Sequence, residues 1–389
     1  MAIQVATGQA SSLDAREAGM LATQQALELL GKKTVSFCII VASYHFPFQQ
    51  LLSGITPLLG DTPLLGFSTT AVFSTKGIAS HSVTITLISG SDILARSAWW
   101  PGFEDEPFDA AQKVIQAFQL HQSQGVMLIA ADGLSGIAHR LCSELPTGNY
   151  TLAGCLASGD IRRNYTYQIG GKNSGRGGLA AAFLNGNFSI GVGYSHAWKP
   201  VGTYFTVTGV NNFKITSLNN QIPDEMYAHF FGYTPQEWTT SPLNELARLY
   251  PIGLEQDDTV ELQVRSPLQI EADGNMRMNT SVEEGSVAHM MVGGIQDCIN
   301  AASEATHQAL TQLNGAQPRF GLVFADVAVQ LLTQAQPGND LKSISEILGT
   351  HVPVIGGYTF GQIVRNQTRE PEMLNQHITV IVLGENKPE

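Results

Sequence analysis

One arrangement of short apolar runs occurs three times in the chain and constrains its fold more than any other feature. Each copy has an apolar run, a helical-looking segment, a second apolar run with a glycine, a loop of variable length and a final apolar run. Runs of roughly four to eight apolar residues between turn signals are typical of sheet strands. Each copy therefore predicts a strand–helix–strand–strand unit. The first and last runs of the copies are 35–42 and 83–88, 126–131 and 178–184, and 320–325 and 377–383.

Such units predict an α/β fold with mixed, layered sheets. Two strands joined by a helix form a right-handed parallel pair, while the strand that returns after the glycine loop can pair antiparallel. Longer helical segments at 15–30, 110–119 and 295–313 precede the copies and have apolar residues at helical spacing. We expect these helices to cover one face of each sheet.

A different region, about residues 187–292, separates the second copy from the third. It begins with alternating strands, continues through helical segments, and enters a hairpin whose turn contains Gly274. Pro251 and the polar cluster at 255–258 interrupt the pattern there. We therefore predict two tandem modules, residues 1–250 and residues 251–389.

The composition argues against several classes of protein. The net charge is −12, and the 21 basic residues are scattered, so nucleic acid is not an expected partner. No segment has the roughly 20 consecutive apolar residues of a membrane span, and the N-terminus lacks the pattern of a signal peptide. We expect a cytoplasmic protein. The four cysteines are far apart and lack zinc-site spacing, so we expect buried thiols, no metal and no cofactor.

Small polar residues follow the glycine of each second strand. The carboxyl ends of strands form the usual ligand crevice of α/β sheets, and a glycine there indicates a sharp turn or a close approach. Any single loop is equally compatible with a tight turn that binds nothing. We predict a small-ligand cleft where loops of different units meet. Its predicted residues are Ser68, Thr69, Cys155, Ser158, Asp160, His196, Trp198, Tyr358 and Thr359.

Two of these positions have competing interpretations. His196 and Trp198 share one face of an extended strand, because side chains two residues apart do so. They either contact the ligand or lock the junction between the modules, and the structural role is the simpler one. Cys155 is a nucleophile only if a base such as His196 lies close and its pKa is low. Nothing in 152–159 supplies a cation, so we favour an inert thiol and predict no catalytic residue.

Charged residues near the loops also have two interpretations. Asp132 and Asp326 follow the first strands of their units, where a carboxylate holds a metal or an ammonium group or, more simply, caps a helix. A guanidinium after a loop can grip a carboxylate, but arginines in polar loops are usually solvated. The arginines after the second and third loops are Arg162, Arg163, Arg365 and Arg369.

Several segments, in their order along the chain, resemble the FIST family of paired N- and C-terminal modules. The N-terminal pattern is seen at 63–71 (PLLGFSTTA), 131–136 (ADGLSG) and 196–202 (HAWKPVG). The C-terminal pattern is seen at 273–277 (DGNMR), 282–285 (VEEG), 356–363 (GGYTFGQI) and 375–379 (NQHIT). The sequence departs from the family at Phe67, where Cys is frequent, and at Gln362, where an acidic residue is frequent.

The resemblance implies a bacterial-type sensory protein rather than an enzyme. It implies a small ligand, with amino acids or related metabolites proposed, and a separate signalling partner such as a chemoreceptor, a histidine kinase or a cyclase. Two alternatives stay open. One is an enzyme of unusual class that uses Cys155 in the same cleft, and the other is a protein-interaction scaffold without a ligand.

Overall fold

The computed structural model describes residues 3–135, 137–256, 259–365 and 370–386. Three six-stranded sheets are built alike, and a seven-stranded sheet is inserted into the last unit. In each unit the first and second strands pair in parallel, and the returning strand pairs antiparallel with the first. The α/β class with mixed sheets is therefore confirmed.

The first unit shows the plan of all three. A lead strand, which the repeat pattern did not predict, precedes the predicted long helix. That helix begins where the Asp14 side chain accepts a hydrogen bond from the main-chain N–H of Glu17, and it ends at Gly31 with a φ of 70°. The elements are β1 (Gln4–Ala10), α1 (Ala15–Leu30), β2 (Phe37–Ser43), α2 (Phe48–Leu59), β3 (Leu64–Thr69), β4 (Val72–Ser74), β5 (Gly77–Ala79) and β6 (Val83–Ser89).

The second unit repeats this order of elements. Its long helix starts with Pro107, whose missing N–H costs nothing in the first turn, and ends before Gln119 in the left-handed conformation. The elements are β7 (Leu94–Trp100), α3 (Pro107–Phe118), β8 (Gly125–Asp132), α4 (Ala138–Glu144), β9 (Tyr150–Ala157), β10 (Gln168–Gly170), β11 (Asn173–Gly175) and β12 (Leu179–Asn185).

The third unit has an insertion between its lead strand and its long helix. The lead strand is β13 (Phe188–His196). The insertion comprises β14 (Lys199–Asn211), β15 (Lys214–Leu218), α5 (Pro223–Phe231), α6 (Pro235–Trp238), α7 (Leu243–Leu246), a 3₁₀ turn (Ala247–Leu249), β16 (Ile252–Gln256), β17 (Thr259–Arg265), β18 (Pro267–Ile270), β19 (Met276–Met278) and β20 (Val287–Val292). The unit then continues with α8 (Ile295–Gln312), β21 (Gln317–Asp326), α9 (Val327–Leu332), α10 (Asn339–Leu348), β22 (Val354–Thr359), β23 (Gly361–Arg365), β24 (Glu372–Leu374) and β25 (His377–Glu385).

The hairpin after each glycine loop pairs with the second strand of another unit. Hairpin β4–β5 joins β22 of the third unit, β10–β11 joins β3 of the first, and β23–β24 joins β9 of the second. Every six-stranded sheet therefore has the same order: lead strand, returning strand, first strand, second strand and a hairpin from another unit. The three units therefore form a closed ring, in which the hairpin of each unit completes the sheet of another.

The inner faces of the three sheets pack together in one apolar core. Phe37 of β2, Leu128 of β8 and Leu322 of β21 belong to this core, and the ring of Phe67 meets that of Phe324 edge-on at 5.5 Å. The alternate residues of β2, such as Ile40, face α1 and α2 instead. Helices thus cover the outer faces, as the sequence predicts.

Helix α8 lies directly on the lead strand β13. A Cβ at Gly191 would stand 1.8 Å from the main-chain oxygen of Ala309, and a Cβ at Gly193 would stand 1.9 Å from that of Ala305. Only glycine permits so close an approach of helix to strand. This packing fixes one wall of the candidate site.

The seven-stranded sheet is an antiparallel insertion with its own core, which includes Phe205, Tyr227 and Trp238. The predicted hairpin is present there, and its turn residue Gly274 has a φ of 80°. The predicted module boundary at 250/251 lies just before β16 and stays a prediction. None of the helices described combines the length and apolar character needed to cross a bilayer.

Candidate functional site

Five of the predicted site residues meet where the second strands of the three units end. We call this cluster the axial junction; it comprises Ser68, Thr69, Ser158, Tyr358 and Thr359, and all five are buried. The Ser68 hydroxyl donates to the Ser158 carbonyl at 2.8 Å, and the hydroxyls of Thr69 and Ser158 donate to the Tyr358 carbonyl at 2.8 and 2.5 Å. The loops of different units therefore meet, and these hydroxyls are engaged with main-chain carbonyls. Ligand binding by the junction stays a prediction.

The two aspartates after the first strands cap main-chain turns. Asp326 accepts hydrogen bonds from the N–H groups of Ala328 and Gln376, both at 3.0 Å, and burial raises its pKa to about 6. Asp132 accepts from the N–H of Ser135 at 2.9 Å. Both carboxylates therefore stabilise chain turns, the simpler of their two interpretations.

Cys155 and Asp160 lie apart from the axial junction's hydroxyl contacts. Cys155 is buried in β9, and burial raises the pKa of its thiol well above the usual range. A thiolate nucleophile is disfavoured there. Asp160 accepts hydrogen bonds from the N–H groups of Arg162 and Arg163 at 3.0 and 3.2 Å, while the Arg162 guanidinium pairs with Glu245 of the insertion at 2.9 Å. These groups tie a surface loop to the inserted region.

A large cavity opens between the third unit and the inserted sheet. We call it the main cleft; its larger chamber has a volume of about 880 Å³ and an adjoining chamber about 260 Å³. Volumes of roughly 300–1,000 Å³ are typical of small-molecule sites. Both chambers are lined by Tyr194, His196, Glu261, Leu262 and His377.

Two histidines meet in the wall of the main cleft. The rings of His196 and His377 are 4.9 Å apart at 76°. His377 Nδ1 lies 2.6 Å from the Asn375 carbonyl, so it donates its proton there, and burial lowers the pKa of His377 to about 3. His196 Nδ1 accepts the N–H of Trp198 at 3.2 Å, and burial lowers the pKa of His196 as well. Both imidazoles are therefore neutral at pH 7, and each offers one ring nitrogen for another hydrogen bond.

Trp198 forms part of the floor of the main cleft. Its indole N–H donates to the Gln376 carbonyl at 3.0 Å, and its ring packs with Val264, Met291 and Ala328. These contacts join the inserted sheet to the third unit. Trp198 therefore locks the junction between the two regions, and it also lines the cleft.

Charged groups of both signs line the main cleft. Glu261 of β17 and Glu304 of α8 line the larger chamber, and Arg265 lines the smaller one with Glu372. Burial lowers the pKa of Arg265 to about 10, so it remains a cation at neutral pH. Its Nε has no hydrogen-bond partner among the described residues. The carboxylate of Glu372 favours the charged form of this guanidinium.

The arginine after the third loop is structural. Arg365 stacks on the ring of Tyr150 at 3.9 Å and donates to the carbonyls of Pro146 and Tyr150 at 2.7 and 2.8 Å. It is buried rather than solvated, and it also lines the larger chamber of the main cleft. Arg369 lies outside the described residues.

His196 and Trp198 were predicted from the sequence, whereas the charged groups that line the cleft with them were not. Glu261, Glu304 and Arg265 carry no local motif, and they meet only because the insertion docks on the third unit. A weak signal did exist for His377, which lies in the quoted family segment 375–379. Within the described residues, no group of three His, Cys, Asp or Glu side chains is arranged to hold a metal ion.

Comparison with protein families matches the FIST N domain to residues 36–221 and the FIST C domain to residues 225–365. No curated protein matches the chain in sequence. Among solved structures, that of PurLQS from Thermotoga maritima aligns at 11% identity over 100% of this chain and 74% of that chain. Its TM-score of 0.24 is too low to support an argument about fold.

Proposed function

The chain belongs to the FIST family, whose domains are sensory domains in signal transduction, and we propose that it senses a small ligand bound in the main cleft. The observation that carries this proposal is that residues of both matched domains line the main cleft. Tyr194, His196 and Trp198 lie within the FIST N match, whereas Glu261 and Glu304 lie within the FIST C match. A ligand in the cleft would therefore contact both matched domains at once.

The chemistry of the walls favours a ligand that has an amine and a carboxylate. Glu261 and Glu304 would attract an ammonium group in the larger chamber, which Arg365 also lines, and Arg265, which lies beside Glu372, would attract a carboxylate in the smaller one. The neutral imidazoles of His196 and His377 add hydrogen-bonding groups between them. Amino acids and related metabolites, including short peptides, have this combination of charges.

Signalling would follow from a population shift. A ligand that contacts both walls stabilises the arrangement in which they are close, and a partner that recognises this arrangement then reports the ligand. The proposed partner is a cytoplasmic signalling protein such as a chemoreceptor, a histidine kinase or a cyclase. The enzyme alternative is disfavoured, because Cys155 is buried and the raised pKa of its thiol makes it a poor nucleophile.

A thermal-shift screen of amino acids, dicarboxylates, nucleosides and short peptides tests the proposal. A ligand at a hundred times its Kd should stabilise the chain by about 2.7 kcal/mol. Glu304→Gln should weaken binding of a cationic hit at least several-fold. Glu28→Gln is the matched control, since it removes the same charge from an exposed position of α1 outside the cleft. Silence across the library, with a stable protein complex instead, would contradict the proposal and favour the scaffold.

A further inference from the structure

The chain contains two Asn–Gly steps, Asn185–Gly186 and Asn314–Gly315. Asparagine is a thermally labile residue. In an Asn–Gly step the glycine nitrogen can attack the side-chain amide carbon of the asparagine, because no Cβ shields that nitrogen. A bond forms between the nitrogen and the amide carbon, the bond to the amide nitrogen breaks, and ammonia leaves with the glycine N–H proton. The product is a five-membered succinimide ring.

Water then opens this ring at one of its two carbonyl carbons. Opening at the side-chain carbon gives aspartate. Opening at the main-chain carbon gives isoaspartate, in which the main chain runs through the former side chain and is one carbon longer. The conversion takes up water and releases ammonia, so it needs neither an enzyme nor a cofactor. It does require that the asparagine can turn its side chain onto the next main-chain nitrogen.

Asn314 lies in a turn that permits this rearrangement. It follows α8 in the left-handed conformation, with a φ of 51°, and Gly315 has a φ of 85°. Both residues are exposed. Among the residues that the structure describes, no group accepts a hydrogen bond from the Gly315 N–H. Apart from its chain neighbours, no described atom lies within 4 Å of the position that a Gly315 Cβ would occupy.

Asn185 is held in place by a sheet and by packing. It is the last residue of β12 and pairs with Leu94 of β7 in a regular antiparallel ladder. A Cβ at Gly186 would stand 2.2 Å from the main-chain oxygen of Asp92, so the main chain there packs directly against another segment. Ring closure at Asn185 would have to break the strand pairing and displace this contact. The same dipeptide is therefore free to react at one position and protected at the other.

We propose that Asn314 is a site of spontaneous deamidation and isoaspartate formation in the folded chain, and that Asn185 is not. The proposal does not depend on the proposed sensory function. It has a consequence for α8, because the new carboxylate follows the last turn of this helix. The carbonyl groups there already carry partial negative charge, and residues 309–312 include no lysine or arginine to balance it.

The last turn of α8 is in contact with the wall of the main cleft. Gln312 in this turn bonds both main-chain groups of Val192 in β13, at 3.0 and 2.7 Å, and Val192 lines the larger chamber. A carboxylate and a longer main chain two residues after Gln312 weaken the turn that positions its side chain. The modification therefore loosens the contact between Gln312 and Val192.

Incubation of the full chain at pH 8 and about 37 °C, followed by peptide mass spectrometry, tests the site. A protein-isoaspartate methyltransferase labels the isoaspartate for counting. We expect Asn314 to convert at least roughly tenfold faster than Asn185 in the folded chain, because Asn185 reacts only when its strand opens. In concentrated urea the two should convert at rates within about threefold of each other, because unfolding removes this protection.

The outcomes that contradict the proposal are distinct. Equal conversion of the two asparagines in the folded chain would overturn it, and so would faster conversion of Asn185. Conversion of Asn314 in urea but not in the folded chain would overturn it as well.

Hydrogen exchange of the Val192 N–H tests the consequence for α8. We expect this exchange to be several-fold faster once Asn314 has converted. Asn314→Gln is the control, because a glutamine side chain closes the larger ring far more slowly, and Gln119 shows that glutamine adopts a left-handed φ in this chain. Incubation of this variant should leave the exchange unchanged. Unchanged exchange in a chain whose Asn314 has fully converted would overturn the predicted effect on α8.

Discussion

Removal of the Ser158 hydroxyl should weaken the fold without touching ligand binding in the main cleft. This hydroxyl donates to the Tyr358 carbonyl at 2.5 Å and accepts the Thr70 N–H at 3.0 Å. It therefore connects one residue from each of the three units. In Ser158→Ala the Tyr358 carbonyl keeps the hydroxyl of Thr69, at 2.8 Å, but the Thr70 N–H loses its side-chain partner.

The magnitude follows from that one unpaired donor. A main-chain N–H left unsatisfied away from water costs about 1–3 kcal/mol, and loss of a single oxygen atom leaves little cavity. Because the Thr70 N–H is only partly buried, we expect Ser158→Ala to lower the free energy of unfolding by about 1 kcal/mol, the lower end of that range. Ser53→Ala, at an exposed position of α2, should change it by no more than about 0.5 kcal/mol.

Urea unfolding measures the stability of both variants, and titration with a ligand found for the unaltered chain measures binding. We expect Ser158→Ala to bind that ligand with unchanged affinity under conditions in which it is folded. A variant of undiminished stability that no longer binds would refute the argument. The axial junction, rather than the main cleft, would then be the ligand site.

Four further expectations concern other groups of the fold. Gly193→Ala should destabilise the chain by at least about 2 kcal/mol in the same urea assay, because the added Cβ overlaps a main-chain oxygen of α8. Gly294→Ala is the control and should be nearly neutral, because the nearest atom to its added Cβ, a carboxylate oxygen of Asp297, is 3.4 Å away. Burial raises the pKa of Asp326 to about 6, so the folded chain binds the carboxyl proton more tightly than the unfolded chain does. The free energy of unfolding should therefore fall as the pH rises from about 4 to 6, and Asp326→Asn should remove this pH dependence. Burial lowers the pKa of His377 to about 3, so the free energy of unfolding should fall as the pH drops below about 6.5, and His377→Gln should reduce this fall. If either variant shows the same pH dependence of stability as the unaltered chain, the pKa given for that residue is wrong. Cys155 should resist iodoacetamide at pH 8 until the chain unfolds, and labelling of the native protein within minutes would restore the enzyme alternative.

Local signals were sufficient to predict most elements of the three units. The Asp14 cap and Gly31 bound α1, and the apolar runs correspond to buried first, second and returning strands. The lead strand β13 was predicted, whereas the lead strands β1 and β7 were missed, and for β7 the reason is physical. β7 (Leu94–Trp100) is only partly buried and has Arg96 in its middle, so it lacks the continuous apolar run of a core strand.

Long-range pairing was not predictable from these patterns. Strand β4 has only three residues, and its partner β22 lies far along the chain, so no local preference specifies that these two strands pair. The candidate site shows the same limit. His196 and Trp198 stand out as a motif, but their proximity to Glu261, Glu304 and Arg265 depends on how the insertion docks.

The exchange of hairpins also determines when the chain can finish folding during its synthesis. The ribosome releases residues 72–79, which form β4 and β5, long before residues 354–359, which form their partner strand β22. At roughly 5–20 residues per second the delay is on the order of tens of seconds, and during it the hairpin has no sheet to join. Unpaired strand edges of this kind promote aggregation. A fragment that ends with the FIST N match at residue 221 lacks both β22, the partner of β4, and β23, the partner of β9.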